Sequence, residues 1–519
     1  MNQTPHTPPT LTRLAELAGA DVVNAPRAEM TLDSVSLDSS AVAPGGLFAA
    51  LPGTRVHGAR YAFDSPAGAI LTDHDGLAII QGTPDQRPVL VVDDVRRVLG
   101  EVSAEVYGCA SKSMKLIGVT GTSGKTTTTY LLERGLTAAG CQVGLIGTTG
   151  TRIKGQDVPT SLTTPEAPTL QALFARMASE GVTHVVMEVS SHALMLGRVG
   201  GTLFDVAGFT NLSQDHLDFH PTMEDYFNAK ALFFDPASPL AAEKSVVCID
   251  DEWGERMAKV ASDPVTVGTH GQPADVQARQ ISADETGAQR VELELGGMTQ
   301  QFDLPLPGAF NVANAALAAA LADAVGVDVD AFLRGVSQAR VPGRMERIDC
   351  GQDFVAVVDY AHKPAAVAAV LQTLRAQCDG RIGVAVGAGG DRDRSKRPLM
   401  GVEAARVADL VVVTDDNPRT EDPASIREAV LAGAREAIGQ GGEDRGGTGP
   451  EIREVGDRRE AICELVKWAA PGDAIIVVGK GHEVGQIVGE TTHHFDDREE
   501  MRRALETRAQ ADRGEGERK

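Results

Sequence analysis

Along this chain the apolar positions gather in short continuous runs, each closed by a turn signal and followed by a stretch with helical spacing. From Leu11 to about Lys112 the runs are "GLFAAL", "GAILTD" and "PVLVVDD", which predict a small α/β unit. The strand-like "MKLIGVT" (114–120) opens a second unit, in which "HVVMEVS" and "LFDVAGFTN" predict further strands, each beside a helical stretch. "VPGR" (341–344) then punctuates the chain, because Pro-Gly marks a turn or linker. Beyond it "FVAVVDY", "IGVAVGA", "LVVVTDD" and "AIIVVGK" predict the strands of a third unit. Runs that are apolar throughout belong to strands buried on both faces, so parallel, doubly wound sheets are expected. The chain thus reads as three α/β domains, 1–112, 113–341 and 342–519. The first ten residues, rich in Pro and Thr, are expected to be mobile. "GQGGEDRGGTGP" (439–450) reads as a flexible surface insertion, and "ADRGEGERK" (511–519) as the frayed end of a helical tail.

Composition narrows the class. At 519 residues the chain exceeds what one core can organise, and 42% apolar content supplies several. Aromatics are scarce, at 4%, which suits closely packed helices on parallel strands. The formal net charge of −23 excludes a nucleic-acid partner, since a phosphate backbone would be repelled. Any anionic substrate must therefore be held by local Lys, Arg, helix N-termini or metal ions. The six cysteines (109, 141, 248, 350, 378, 463) are scattered without a C-x-x-C pair, the usage of reduced thiols in a cytosol. The N-terminus lacks the layout of a signal peptide, and the longest apolar stretch, "AALAAALA" (315–322), falls far short of the ~20 residues that span a bilayer. A soluble, cytoplasmic protein with no membrane insertion is expected.

"LIGVTGTSGKTTTTYLLERGL" (116–136) is the strongest chemical signal: a strand, a Gly-rich turn, and a helix opening at Lys125. N–H groups in such a turn, with the helix N-terminus, cradle phosphates. Lys125 can reach β- and γ-phosphates, and the Thr126 hydroxyl can ligate Mg²⁺. The strict pattern wants Gly where Val119 stands; Gly121 supplies the flexibility instead. The bland alternative is an ordinary strand-to-helix turn. "EVSSHAL" places Glu188, Ser190 and His192 at a strand end, where a carboxylate is often only a helix cap. "NLSQDHLDFH" offers His216, and "NAKALFF" puts Lys230 beside Leu232, Phe233 and Phe234. A lysine in such surroundings tends to lose its charge, and a neutral amine can react covalently; a structural lysine reaching for water is the plain alternative.

These stretches, with TTPE, PGAFNVANA, PGRME, DYAHKP, GGDRDRSKRPLM, DDNPRTEDP and GKGHE in the same order, resemble the Mur ligase family across nearly the whole chain. That family forms amide bonds with ATP in building the peptidoglycan stem peptide. GGDRDRSKRPLM and DDNPR are similar to the members that add a diamino acid to UDP-N-acetylmuramoyl-L-alanyl-D-glutamate. The resemblance implies a UDP-sugar-binding N-terminal domain, a central ATP-binding domain and a C-terminal Rossmann-like amino-acid domain. It implies ATP on Gly121, Thr122, Ser123, Gly124, Lys125, Thr126 and Thr127, with Asn311, Arg344 and Asp359 opposite. Lys230 is then a CO2-derived carbamate that ligates Mg²⁺ with Thr126, Glu188 and His216; Lys125, Lys230, Glu188 and His216 form the catalytic set. Leu37, Ser39, His57, Thr163, Thr164, Ser190 and Arg198 match positions that grip the UDP-sugar peptide. The pattern is broken at Ser40, Leu162 and Leu196, each replacing a polar partner usual in the family.

"VVVTDDNPRTEDP" (411–423) carries the specificity. Asn417-Pro418 alone would be a common turn. Arg419 follows directly, and Arg392 lies at the end of the neighbouring strand. By the same resemblance Arg392, Asp416, Asn417, Pro418, Arg419, Gly479 and Glu483 hold meso-diaminopimelate. Asp416, Asn417 and Glu483 suit its ammonium, and an arginine fork suits its distal carboxylate. The expected partners are thus ATP, UDP-N-acetylmuramoyl-L-alanyl-D-glutamate and meso-diaminopimelate, acting on a monomer. Three alternatives stand beside this: the same ligation with L-lysine or L-ornithine, a folylpolyglutamate synthase-like ligase, and a non-enzymatic P-loop nucleotide switch.

Overall fold

The computed structural model describes residues 6–24, 30–53, 55–284, 287–441 and 449–516. Its strands form three main sheets of five, eleven and six strands, and a small hairpin, 485–494. The chain is a three-domain α/β protein. The N-terminal sheet runs in the order 21–23, 89–91, 69–72, 47–49, 35–36, with only the first strand antiparallel to its neighbour.

In the central sheet β1 (Lys115–Thr120) is followed by helix α1 (Lys125–Ala138), and lies between β2 (His184–Glu188) and β3 (Val206–Phe209), parallel to both. Register sets Glu188 beside Val119 and Phe209 beside Thr120, so all three strands end at one edge. α2 (Met223–Ala231) packs below that edge through Tyr226 and Phe227. One face of the sheet is covered by Leu131, Leu132 and the Ala-rich helix Ala309–Ala324, the other by Phe174, Met177 and Phe233. Burial on both faces is why these strands read as unbroken apolar runs.

The C-terminal sheet holds β4 (Val355–Asp359), β5 (Ile382–Val386), β6 (Leu410–Val413) and β7 (Ala474–Val478), all parallel, in the order β4-β7-β5-β6. α3 (Pro364–Arg375) and α4 (Arg458–Trp468) cross between strands, and α5 (Asp497–Gly516) closes the chain.

Four expectations need correction. The central sheet is parallel only in its middle: 143–158 on one edge and 276–304 on the other turn antiparallel. "QRVELEL" (289–295) alternates buried and exposed positions, the pattern of a strand with one solvated face. Residues 6–10 are tied down, with His6 Nε2 3.0 Å from the Val106 carbonyl and Thr10 capping the helix Leu11–Ala18; residues 1–5 lie outside the described ones. The proposed insertion begins inside a helix, Pro423–Gly441, and its residues 442–448 lie outside the described ones. The tail is helical to Gly516 rather than frayed from 511, and 517–519 lie outside the described residues. The six cysteines, all described, are unpaired, and among the described residues no helix is long and apolar enough to cross a membrane.

Candidate active site

The turn between β1 and α1 sits at the carboxyl edge of the central sheet. Gly121 (φ 143°) and Gly124 (φ 88°) have positive φ, and a Cβ on either would overlap the Thr210 hydroxyl or the Asn314 carboxamide. Glycine is needed there for both reasons. α1 has no side-chain N-cap, so its first N–H groups are left for a ligand, at the end of the helix that favours anions.

Three lysines converge on two adjacent carbonyls of this turn. Lys125 Nζ donates to the Gly121 and Thr122 oxygens at 2.9 Å each, Lys230 Nζ to Gly121 O at 2.9 Å, and Lys363 Nζ to Thr122 O at 3.0 Å. Lys230 is buried, with its ammonium over the Tyr226 ring. Burial, then the neighbouring Lys363, pushes Lys125 down to about 8. Burial, then Lys125 and Lys363, pushes Lys230 well below its ordinary value. Carbonyl dipoles alone do not balance three converging lysines, so the turn is poised for a polyanion. The anion in place is Asp215, 2.9 Å from Lys363 and 3.2 Å from His216 Nε2. Burial works against the Asp215 carboxylate, but Lys363 and then His216 hold its pKa well below the usual range. Burial pushes His216 down to about 3 despite Asp215, leaving a neutral imidazole.

Glu188 at the end of β2 accepts from the Thr126 hydroxyl (3.0 Å), the Thr148 N–H (2.9 Å) and the Thr148 hydroxyl (3.0 Å). Arg344 donates to Thr126 Oγ1 at 3.0 Å and lies over the Tyr360 ring, bringing the C-terminal sheet onto the central one. Asp359 spends both oxygens on the N–H groups of Met345 (2.6 Å) and Ala361 (2.7 Å), fixing the turn that aims Arg344. Asn311 is buried and accepts from Asn314 at 3.0 Å, and Asn314 abuts Gly124. These groups line a cavity of about 770 Å³ between the two sheets. Thr126 and Glu188 are hard oxygen donors already in contact, the donor chemistry that suits Mg²⁺. Among the described residues no three His, Cys, Asp or Glu side chains cluster for a metal ion: His216 faces Asp215, and Lys230 faces the Gly121 carbonyl.

Of the residues expected to grip a UDP-sugar peptide, Thr163, Thr164, Ser190 and Arg198 line the same cavity. Thr164 Oγ1 donates to the Glu188 carbonyl (2.8 Å), and Arg198 pairs with Glu166 (2.9 Å). Exposed Leu162 lines it too. Leu37, Ser39 and His57 lie on the N-terminal domain, outside that lining. His57 caps a short 3-10 turn and meets Asp73 at 3.0 Å; Leu37 packs on the local core. Ser40, where the family pattern breaks, donates to Asp38 within its own loop (2.6 Å).

The loop after β6 runs beside the ends of β5 and β7. Arg419 donates to the Gly390 carbonyl at 2.7 Å, and both Arg419 and Arg392 flank Gly389. Asn417 Nδ2 donates to Glu483 Oε2 (3.0 Å) while its Oδ1 accepts from Lys480 Nζ (2.9 Å) and the Ile487 N–H (3.0 Å). Asn417 thus spends its amide N–H on Glu483 and its oxygen on Lys480 and Ile487. Gly479 has φ 119°, and a Cβ there would overlap Asp416 Oδ2. Pro418 O packs against Gly390. Left-handed backbone recurs at the site, at His216, Met345, Asp391 and Arg419, held by the surrounding contacts. Sequence reasoning passed over Lys363, Asp215, Lys480 and Arg458. Lys363 and Lys480 stood inside quoted motifs, but nothing local marks a lysine as buried.

Residues 119–322 match the Mur ligase middle domain, and residues 343–481 the Mur ligase, glutamate ligase domain. The chain is 63% identical over 482 residues to the UDP-N-acetylmuramoyl-L-alanyl-D-glutamate--2,6-diaminopimelate ligase of Corynebacterium glutamicum, covering 92% of each. The chain belongs to the Mur ligase family. A second such ligase, from Streptomyces avermitilis, is 45% identical over 513 residues, with 95% of this chain and 96% of that one covered. A solved structure of a UDP-N-acetylmuramoyl-L-alanyl-D-glutamate--2,6-diaminopimelate ligase superimposes with a TM-score of 0.66 at 32% identity, covering 97% of this chain and all of the other. Mur ligases use ATP and Mg²⁺, which is the demand the lysine-ringed turn and the Thr126–Glu188 pair make on chemical grounds.

Proposed function

We propose that this chain is the ADP-forming ligase that adds meso-diaminopimelate to UDP-N-acetylmuramoyl-L-alanyl-D-glutamate in peptidoglycan precursor synthesis, in the cytoplasm and as a monomer. One observation carries it: the lysine-ringed phosphate turn and Arg392, which flanks Gly389 together with Arg419 of the arginine-and-carboxylate loop, line one cavity. A nucleotide switch has no use for the second. A folylpolyglutamate synthase-like ligase has no use for paired arginines at Gly389. The domain limits are 1–112, 113–341 and 342–519, binding the UDP-sugar peptide, ATP and the amino acid respectively.

The residues divide the work. Backbone N–H groups of Gly121–Thr127 and the Lys125 ammonium hold the β- and γ-phosphates. Thr126, Glu188, His216 and a carbamate on Lys230 would hold Mg²⁺, which supplies charge neutralisation for the phosphoryl group. Burial and the neighbouring lysines push Lys230 well below its ordinary value, which favours the free amine that carbamate formation requires. Arg344 and Lys363 bring two more cations from the C-terminal side. Together they stabilise the γ-phosphoryl group as it passes to the D-glutamyl carboxylate, giving an acyl phosphate and ADP. The amine of the amino acid then attacks the acyl carbon, and phosphate leaves. Arg392 and Arg419 fit the distal carboxylate of diaminopimelate bidentately, and Asp416 with Glu483 its ammonium. Thr163, Thr164, Ser190 and Arg198 orient the peptide end of the UDP-sugar, with Leu37, Ser39 and His57 on the uridine side.

The test is ADP release with each substrate omitted in turn, and with meso-diaminopimelate, L-lysine or L-ornithine as acceptor. Release should require the UDP-sugar dipeptide and meso-diaminopimelate together. Equal turnover with lysine or ornithine would overturn the acceptor assignment, and release with neither substrate would restore the switch.

A further inference from the structure

Lys480 has no exposed side-chain surface, and no step described above uses it. Lysine is almost never fully buried unless paired. Its Nζ donates to Asn417 Oδ1 at 2.9 Å and lies 3.6 Å from Glu483 Oε2 and 3.9 Å from Asp416 Oδ1. The other buried cation nearby, Arg458, is already matched: it makes two contacts of 2.7 Å with Asp497, both side chains fully buried, and donates to the Val478 carbonyl. That closed pair leaves Lys480 as the cation that reaches within 4 Å of both Asp416 and Glu483 among the described residues, with Arg419 acting on them from farther off. We infer that Lys480 is a positioning residue for amino-acid recognition: it locks the Asn417 carboxamide and offsets the charge of one of the two carboxylates, so that the other is kept for an ammonium group. The inference rests on the proposed diaminopimelate site and names what sets its charge.

Two donors on Asn417 Oδ1, Lys480 and the Ile487 N–H, forbid a flipped carboxamide, so Nδ2 must face Glu483. Glu483 is the group that responds. Burial and then Asp416 push its carboxyl up, and Lys480 pulls it back. The charged and titratable groups around it are Asp416 and Arg419 on the loop after β6, Lys480 on its own segment, Tyr360 after β4 and Arg458 on α4. Without Lys480 the carboxyl rises further and takes up a proton at higher pH. A protonated Glu483 cannot pair with an ammonium, so affinity for the amino acid falls as pH drops, from a higher pH than in the wild type.

The experiment uses the full-length enzyme with Lys480→Met, of similar length without charge, and Lys480→Gln, which keeps a donor for Asn417. For Lys480→Met, KM for meso-diaminopimelate should rise roughly ten- to hundred-fold while KM for ATP stays within about twofold, the scale of a lost charged hydrogen bond. The acidic limb of the KM profile for meso-diaminopimelate should move to higher pH. Lys480→Gln should recover part of the affinity but keep the displaced limb. A folded Lys480→Met with unchanged KM for meso-diaminopimelate overturns the inference. So does a loss shared equally by ATP with the limb in place, which is what a merely structural lysine would give. If Lys480→Met does not fold, the limb of Lys480→Gln decides: displaced supports the role, unmoved refutes it. Wild-type enzyme that releases no ADP with meso-diaminopimelate would instead sink the substrate assignment itself.

Discussion

Arg419→Ala measures how much amino-acid selection resides in one side chain. The Arg419 backbone sits at φ 51° and is clamped by the 485–494 hairpin: its N–H donates to Ile487 O (3.0 Å), and its carbonyl accepts from Gly489 (2.7 Å). Alanine also carries a Cβ, so the left-handed backbone costs the same before and after, and the difference lies in the side chain. Truncation removes the 2.7 Å bond to the Gly390 carbonyl, a neutral acceptor, at about 1 kcal/mol. The larger loss comes with substrate. A guanidinium fork on a carboxylate makes two charge-assisted hydrogen bonds of about 1.5–3 kcal/mol each. Since the side chain is half-buried and Arg392 is close enough to take up part of the load, we expect a net loss of about 3–4 kcal/mol, or roughly 10²- to 10³-fold in kcat/KM for meso-diaminopimelate. L-Lysine lacks the distal carboxylate, so its poor turnover should fall by less than about tenfold, and selectivity should shrink by the difference. ADP release read with each amino acid varied at saturating ATP and UDP-sugar dipeptide gives both numbers. Equal losses for the two amino acids, or a parallel rise in KM for ATP, would show that Arg419 supports the loop rather than reading the substrate.

Lys125→Ala should abolish ligation with an unchanged far-ultraviolet circular dichroism spectrum; substantial turnover at saturating ATP would remove Lys125 from the mechanism. Because Lys125 sits at about 8 in the free enzyme, its ammonium is lost as pH rises through that value, and bound phosphates should restore it. ATP binding at pH 8 should therefore take up protons, seen by calorimetry in buffers of different ionisation enthalpy, and KM for ATP should rise above pH 8. Lys230→Ala should be nearly inactive and partly rescued by short-chain carboxylates; high-resolution density with a bare amine in an active, nucleotide-bound crystal would refute the carbamate. Asp497→Asn leaves the fully buried Arg458 uncompensated, at about 3–5 kcal/mol, and should lower the melting midpoint by roughly 10 °C. A midpoint within about two degrees of wild type would mean the pair is not what ties α5 to the sheet.

What the sequence determined by itself was set by local physics. Strands buried on both faces must be apolar throughout, so β1 to β7 were legible, and glycines at positions of positive φ marked the phosphate turn. The order of motifs named the family for the same reason, since each motif is a contiguous loop whose chemistry is complete within a few residues. Tertiary structure decided whatever depends on which loops meet. Nothing in "DYAHKP" says that Lys363 reaches the Thr122 carbonyl 241 positions away, or that Asp215 stands between it and His216. Nothing in "GKGHE" says that Lys480 is sealed from water and turns the Asn417 amide toward Glu483. The antiparallel edges, too, escaped a reading tuned to continuous apolar runs, because a half-solvated strand alternates. Residue type fixes what a side chain can do; burial and the charges packed around it fix which of those things it does, and both are properties of the assembled fold.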